Sequence, residues 1–312
     1  MKEFPYAYIR KKIVKSKDAT VPVQCKALQY GLGCFSGIRG FWNAKDKNIY
    51  LFRADDHFYR LQESAKILGM KLNYTYPKFL ELLKKLIKKN KAKGDIYIRP
   101  TLYAASTKLT PRFDNPDDDL AVYMIALKDY FDSSRALDVC VSSWRRYDDD
   151  MISVKAKSTG GYANSALAKT EAITNGYDEP ILLNRAGNVC EASGANLFGI
   201  KDGVVWTPPL SSNILNGITR RTLITLLKEE LNMEVREEDF DRSTLYTFDE
   251  LFFSGTAAKV AAIGSVDKRK IGSGKPGKYT KKLQKIYDEV AYGNNEKYKD
   301  WLTAIRDDRM KF

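Results

Sequence analysis

Short β-rich runs alternate with amphipathic helical stripes along this chain, and that alternation most constrains its fold. Runs rich in Val, Ile and Tyr at 7–14, 48–52, 96–103 and 120–127 predict strands in the N-terminal half. The last of them, Leu120-Ala121-Val122-Tyr123-Met124-Ile125-Ala126-Leu127, is nearly all apolar and is expected inside a sheet. A helix is predicted over 57–68, where Leu61, Ala65 and Leu68 share one face. A second begins near Pro77, carries the stripe Phe79, Leu82, Leu83, Leu86, Ile87, and is expected to stop at Gly94. The C-terminal half repeats the alternation, with strands at 138–144, 179–183, 196–200 and 250–253 and helices at 164–175, 219–231 and 278–292. The fold class is α+β or mixed α/β. A length of 312 residues suits two domains. The polar stretch 128–136 is the expected interdomain linker, leaving domains at 1–127 and 137–312.

Composition removes several function classes. The formal charge is +13, but much of it sits on Lys84, Lys85, Lys88, Lys89, Lys91 and Lys93. These lie opposite the apolar stripe just described, so they are a solvated helix face and no nucleic-acid partner is expected. Mean hydropathy is −0.42, and no apolar run approaches the ~20 residues of a membrane helix. The single histidine, His57, excludes a two-histidine zinc site within one chain, and no metal is expected. It falls in Asp55-Asp56-His57-Phe58, at a helix start with no nucleophile elbow nearby, so it reads as a surface or capping residue. Cys25, Cys34, Cys140 and Cys190 are scattered, with no C-x-x-C pair. With no apolar leader in Met1-Lys2-Glu3-Phe4-Pro5, the expected location is the reducing cytoplasm.

Two glycine-rich stretches imitate nucleotide motifs. Gly272-Ser273-Gly274-Lys275-Pro276-Gly277-Lys278-Tyr279 nearly spells a P-loop, but Tyr279 stands where a magnesium-holding Ser or Thr is needed. It reads as a surface turn before a helix. Gly31-Leu32-Gly33-Cys34-Phe35-Ser36-Gly37 has the wrong spacing for a dinucleotide fingerprint. Its glycines still point to a backbone that approaches something closely.

Four other motifs carry chemistry. Lys157 sits among small residues just before Gly160-Gly161 and a helix start; taken alone it is either a surface lysine or an amine that, partly desolvated, loses basicity and becomes a nucleophile. Glu191 lies in Cys190-Glu191-Ala192-Ser193-Gly194, where an acid is either a turn residue or the partner of a cationic ring nitrogen. Asn216-Gly217-Ile218-Thr219-Arg220 opens a helix whose free N–H groups suit a phosphate. Ser254-Gly255-Thr256-Ala257-Ala258 is a small-residue turn after a strand. A nucleophilic lysine, an acid for a ring nitrogen and two phosphate-binding turns together describe pyridoxal 5′-phosphate.

In order and spacing, Lys157-x-x-Gly160-x-Tyr162, Glu191-x-x-x-x-Asn196, Gly217-Ile218-Thr219-Arg220 and Ser254-Gly255-Thr256-Ala257-Ala258 resemble class IV aminotransferases. Tyr30-Gly31-x-x-x-Phe35-x-Gly37-Ile38-Arg39 and Tyr97-Ile98-Arg99-Pro100 resemble the branched-chain amino acid aminotransferases of that class. The resemblance runs from about Ala27 to Val266. It implies a fold type IV enzyme, with a smaller N-terminal and a larger C-terminal domain and the cofactor in the cleft between them. The implied reaction is amino transfer between L-leucine, L-isoleucine or L-valine and 2-oxoglutarate.

The same resemblance implies the site. Lys157 would be the Schiff-base and proton-transfer residue, Glu191 the partner of the pyridine nitrogen, and Tyr162 a hydrogen bond to the phenolic oxygen. Arg60 would hold the phosphate with Gly217, Ile218, Thr219, Gly255 and Thr256, and Arg146 would line the cofactor site. Thr256 and Ala257, with Tyr97, would seat the substrate α-carboxylate. Tyr30, Phe35, Gly37 and Tyr130 would form the apolar pocket, and Arg99 would meet the distal carboxylate of glutamate. The implied partners are amino acids, 2-oxo acids and further copies of the chain in a dimer or hexamer, with a loop near Leu109-Thr110-Pro111 reaching a neighbour.

Two positions depart from the family pattern. Ser36 replaces a common Glu beside the substrate pocket, and Asn216 replaces a common Pro. The run Asp148-Asp149-Asp150 has no assigned role. The nearest alternatives are other class IV activities: D-amino acid or (R)-amine transamination, or aminodeoxychorismate lyase.

Overall fold

Strand Ile96–Ala104 pairs antiparallel with Asp118–Ala126 along its full length, from Ile96↔Ala126 to Ala104↔Asp118. The computed structural model in which this is seen describes residues 2–113, 117–132 and 134–306; Ser133 of the expected linker lies outside them. Around that pair grows an antiparallel sheet whose strands include Ile38–Asn43, Asn48–Phe52 and Tyr6–Ile9. Asp118–Ala126 is interior in strand order, as its apolar sequence predicts, yet Tyr123 is half exposed. The run 7–14 is not one strand. It is a hairpin of Tyr6–Ile9 and Lys12–Lys15, reversed at Arg10 and Lys11 with φ of 50° and 59°. Two consecutive left-handed residues give the turn the twist a tight hairpin needs.

Three helices accompany this sheet: α1 (Lys26–Tyr30), α2 (Ala54–Ile67) and α3 (Tyr76–Lys89). The stripe of α3 is buried as predicted, at Phe79, Leu82, Leu83, Leu86 and Ile87. The helix ends before Gly94, however. Asn90 turns its side chain onto strand Tyr6–Ile9, accepting from Tyr6 N (2.9 Å) and donating to Tyr6 O (3.0 Å). Lys91 then leaves the helix at φ 49°.

The second sheet closes on itself. In strand order Glu179–Leu183, Leu137–Arg145, Lys259–Val266, Glu250–Gly255, Asn196–Lys201 and Val189–Ala192 run side by side, and the last pairs back onto the first. The closing seam between Val189–Ala192 and Asn196–Lys201 is a single register pair, Glu191↔Asn196. Three further helices follow: α4 (Tyr162–Thr174), α5 (Ile218–Glu229) and α6 (Lys278–Ala291). Inside the ring, Leu137, Val139, Ile181, Leu197, Phe253 and Ile263 belong to one buried cluster.

The chain divides into two units that are not contiguous segments. The first comprises 1–128, 156–160 and 289–312; the second 129–155 and 161–288. The stretches 156–160 and 289–312, expected in a C-terminal domain, thus belong with the first sheet, and the returning segments bring the units to nearly equal length. Strand Leu302–Ala304 supplies the reason, pairing with Asn48–Phe52 at the sheet edge. The segment expected as a linker is held to the second unit from Asp129 onward: Arg135 grips Asp178 through two bonds of 2.8 and 2.7 Å. Among the described residues, no helix is long and apolar enough to cross a membrane.

Candidate active site

In the second unit, the Glu191 carboxylate is buried and held from several sides. Arg146 Nη2 lies 2.9 Å from Oε1, while Asn196 Nδ2 (2.9 Å) and the Leu215 N–H (3.1 Å) donate to Oε2. Both ion-pair side chains are less than a tenth exposed, so the attraction acts in a low-dielectric setting and keeps the acid ionised. The strand seam explains the geometry. Glu191 and Asn196 are register partners, so the amide faces the carboxylate across the pair.

Asn196 also donates to Leu215 O (2.9 Å), which fixes the approach to α5. Gly217 is the N-cap of that helix, with φ −67° and ψ 134°. A Cβ there would fall 2.1 Å from Asn196 Oδ1, so any larger residue must displace that amide. Ile218 and Thr219 follow, both buried. Turn 255–257, half-buried, lies at the hairpin joining Glu250–Gly255 to Lys259–Val266. Beside it, Ser254 Oγ is buried without a hydrogen-bond partner among the described residues.

The acidic run gains a role here. Asp148 Oδ1 accepts from Asn213 Nδ2 (2.7 Å), and the Asn213 carbonyl accepts from Arg146 Nε (3.4 Å). Asp149 Oδ1 accepts from Ser153 Oγ and Val154 N at 2.7 and 3.2 Å. These acids therefore shape the turn that leads toward Lys157. Arg146 also lies 4.4 Å over the Tyr147 ring, whose phenol is raised in pKa, chiefly by burial.

The first unit gathers a different group. The Lys157 backbone is fixed by its N–H to Ser64 Oγ (3.1 Å) and by its carbonyl, which accepts from Phe35 N (3.0 Å). Its ammonium lies 5.2 Å from the Phe35 ring centroid. Arg99 stacks on the same ring at 4.3 Å and donates to Tyr97 Oη through Nη2 (2.8 Å) and Nε (3.2 Å). Gly37 makes room for that phenol: a Cβ would sit 2.0 Å from Tyr97 Oη. At Gly31, φ is +67° and a Cβ would meet Gly160 Cα at 3.0 Å. The close approach expected of this glycine-rich stretch is thus made to the Lys157 segment and to Tyr97.

Helix α2 carries Arg60, which is buried, and also Ser64, whose hydroxyl donates to Arg60 O and accepts from Lys157 N. His57 is not a surface or capping residue. It is 1% exposed, and its Nδ1 lies 3.0 Å from the Ser36 hydroxyl.

Within its own unit, each group brings together part of the expected set. Lys157, Phe35, Gly37, Tyr97 and Arg99 meet in the first, and Arg146, Glu191 and Gly217 in the second. Tyr130, half exposed, and Ala257 line one small cavity of the second unit. Tyr30 ends α1 and Tyr162 opens α4, both half-buried. The sequence motif includes Asn196 without giving it a role, and Ser64 and His57 escape sequence reasoning as supporting residues. Only Asn196 left a usable signal, its spacing five residues after Glu191 across a tight turn.

The P-loop imitation is filled from within. Glu250 accepts the N–H groups of Tyr279 (3.0 Å) and Thr280 (2.8 Å), so the first turn of α6 already holds a carboxylate where a phosphate would sit.

A family model described as amino-transferase class IV matches residues 33–266. The probable branched-chain-amino-acid aminotransferase of Aquifex aeolicus is 43% identical over 302 residues, covering 97% of each chain. Among solved structures, the branched-chain aminotransferase of Thermoproteus uzoniensis, determined with norvaline, is 37% identical at a TM-score of 0.92, with 97% of this chain and 100% of that one covered. The branched-chain amino acid aminotransferase of Thermobaculum terrenum in its PLP holo-form is 33% identical at 0.93, covering 98% and 100%. With motifs, fold and near full-length similarity in agreement, the chain belongs to the class IV aminotransferases, among the branched-chain amino acid aminotransferases.

Proposed function

We propose that this chain exchanges the amino group between L-leucine, L-isoleucine or L-valine and 2-oxoglutarate, using pyridoxal 5′-phosphate. The observation that carries the reading is Glu191, a buried carboxylate kept ionised by Arg146 and oriented by Asn196 and Leu215. Such an acid is what a pyridinium nitrogen needs, and Gly217 at the start of α5 gives the small-residue helix end that suits the phosphate. The residues present therefore fit the cofactor. Bound, pyridoxal 5′-phosphate supplies a ring that accepts the electron pair left at the substrate Cα.

The chain's own residues divide the remaining work. Lys157 Nζ holds the cofactor and carries the proton on and off Cα. Its backbone, tied to Ser64 and Phe35, limits where that amine can reach. Glu191 keeps the proton on the ring nitrogen, and Tyr162 binds the phenolic oxygen. Arg60, Gly217, Ile218, Thr219, Gly255 and Thr256 hold the phosphate, while Arg146 acts through Glu191. Thr256, Ala257 and Tyr97 bind the α-carboxylate. Tyr30, Phe35, Gly37 and Tyr130 provide apolar surface for the branched side chain.

Arg99 binds the distal carboxylate of glutamate. Stacked on Phe35 and bonded to Tyr97, it offers charge without placing it in the middle of the apolar surface, which would penalise leucine. The enzyme is further read as a cytoplasmic homo-oligomer, a dimer or hexamer. Leu109, 92% exposed, supports a loop that another copy covers.

The visible spectrum tests the reading. Purified protein should show a cofactor band that bleaches with L-leucine and recovers with 2-oxoglutarate. Bleaching by D-leucine alone would replace the substrate assignment with the D-amino acid alternative. No band after incubation with pyridoxal 5′-phosphate would overturn the cofactor assignment.

A further inference from the structure

Lys259 holds an unusual place for a lysine. It closes the hairpin loop Thr256-Ala257-Ala258 as the register partner of Gly255, and its φ is 55°, a left-handed conformation that side-chain-bearing residues rarely adopt. The side chain is only 15% exposed, and its ammonium lies 3.1 Å from Asp288 Oδ1 on α6 and 3.5 Å from Asp129 Oδ1. Asp129 immediately precedes Tyr130, whose ring meets Phe131 edge-on at 4.8 Å. A cavity of about 80 Å³ lies beside Lys259, lined by Asp129, Tyr130, Ala257, Gln284 and Tyr287.

We propose that Lys259 is a positioning residue for substrate: it tethers the 255–257 turn to Asp129 and Asp288, and thereby fixes that turn relative to Tyr130. The inference rests on the reading above, in which the turn seats the α-carboxylate and Tyr130 borders the side-chain pocket. Charge balance decides its manner of action. Two carboxylates face one ammonium, so Lys259 has no net positive charge to offer a substrate anion. Its effect is mechanical. The left-handed backbone closes the turn, as it does at Lys11, and the two aspartates hold the side chain that leaves it. Gln284 reinforces the same strand from α6 by donating to Val260 O (3.0 Å).

Two variants separate the tether from the backbone shape. Lys259→Gly accepts φ 55° without strain and removes the ammonium; Lys259→Met removes the ammonium alone. Both should raise KM for L-leucine and for 2-oxoglutarate roughly tenfold with kcat within about twofold, because a loosened seat weakens ground state and transition state alike. Lys259→Arg should restore most of the affinity. Amide hydrogen exchange on the parent and variant proteins without substrate should be faster at 255–258 in both Gly and Met variants. The exposed-residue control Lys278→Met should leave it unchanged. Exchange at the parent's rate in Lys259→Gly overturns the tether, and an unchanged KM overturns its bearing on substrate. Faster exchange in the variants, together with a parent protein that shows no transamination, would uphold the tether and overturn the functional reading instead.

Discussion

The Ser36 hydroxyl and His57 Nδ1 face each other at 3.0 Å, both nearly sealed from solvent. The strand leading to Gly37 is thereby bonded to the helix that bears Arg60. Ser36 N is also committed, to Pro100 O at 3.0 Å. The serine that replaces the family's common glutamate is therefore a buried joint between elements. Ser36→Ala should lower unfolding free energy by about 1 kcal/mol, read from urea denaturation. No change would mean the bond adds nothing beyond what water supplies.

The Arg146–Glu191 pair should behave as a buried ion pair whose halves are costly to separate. Arg146→Met should destabilise the cofactor-free protein by about 3–5 kcal/mol, because Glu191 is left without its cation. Adding Glu191→Gln should return part of that loss. A purely additive double-mutant cycle would argue that the two side chains do not depend on each other.

Gly217→Ala is expected to act through Asn196. The new methyl must displace Asn196 Oδ1, and with it the amide that holds both Glu191 and Leu215. Affinity for pyridoxal 5′-phosphate, followed by titration of the visible band, should fall at least roughly tenfold, the equivalent of about 1.4 kcal/mol. Unchanged affinity would show that the seam tolerates the shift.

Acid should weaken the attachment of the 129–136 segment. The Arg135 guanidinium first, and the Asp138 N–H after it, hold the Asp178 carboxyl below its ordinary value of 3.8. A depressed folded value means stability that is present above about pH 4 and lost as pH falls through it. Asp178→Asn should therefore be less stable than the parent at pH 7, with the gap narrower at pH 3. Urea midpoints at both values check the sign.

All four cysteines are buried free thiols. Burial pushes Cys34 up to about 12 and Cys140 to about 11, so neither offers appreciable thiolate at neutral pH. Native protein should stay unlabelled by a thiol reagent at pH 7.5 and react at four sites once unfolded. Rapid labelling of the folded protein would contradict this burial.

Much of the fold was legible because its elements are long and periodic. The stripe of α3 and the strands expected at 96–103 and 120–127 follow from residue spacing, while the pairing of those strands does not. Ends were harder. Asn90 ended α3 ahead of Gly94 by bonding to a strand 84 residues away, a contact that no local window contains. His57 was misread for the same reason, since its partner Ser36 lies 21 residues upstream on another element. The motifs around Lys157 and Glu191 stood out through their small-residue neighbours. Their supports, Ser64 and the Asp148–Asn213 link, are ordinary polar residues placed only by tertiary contact.

The pairing of Leu302–Ala304 with Asn48–Phe52 also dictates an order of events on the ribosome. The second unit, ending at residue 288, is fully emerged before the first can be finished. Until residues 301–304 are made, strand Asn48–Phe52 keeps an open edge, and Arg53 lacks Trp301, whose carbonyl later accepts its N–H at 2.7 Å. The first unit's sheet is therefore completed only after the whole of the second unit has been made, and its edge stays open to other strands throughout that interval.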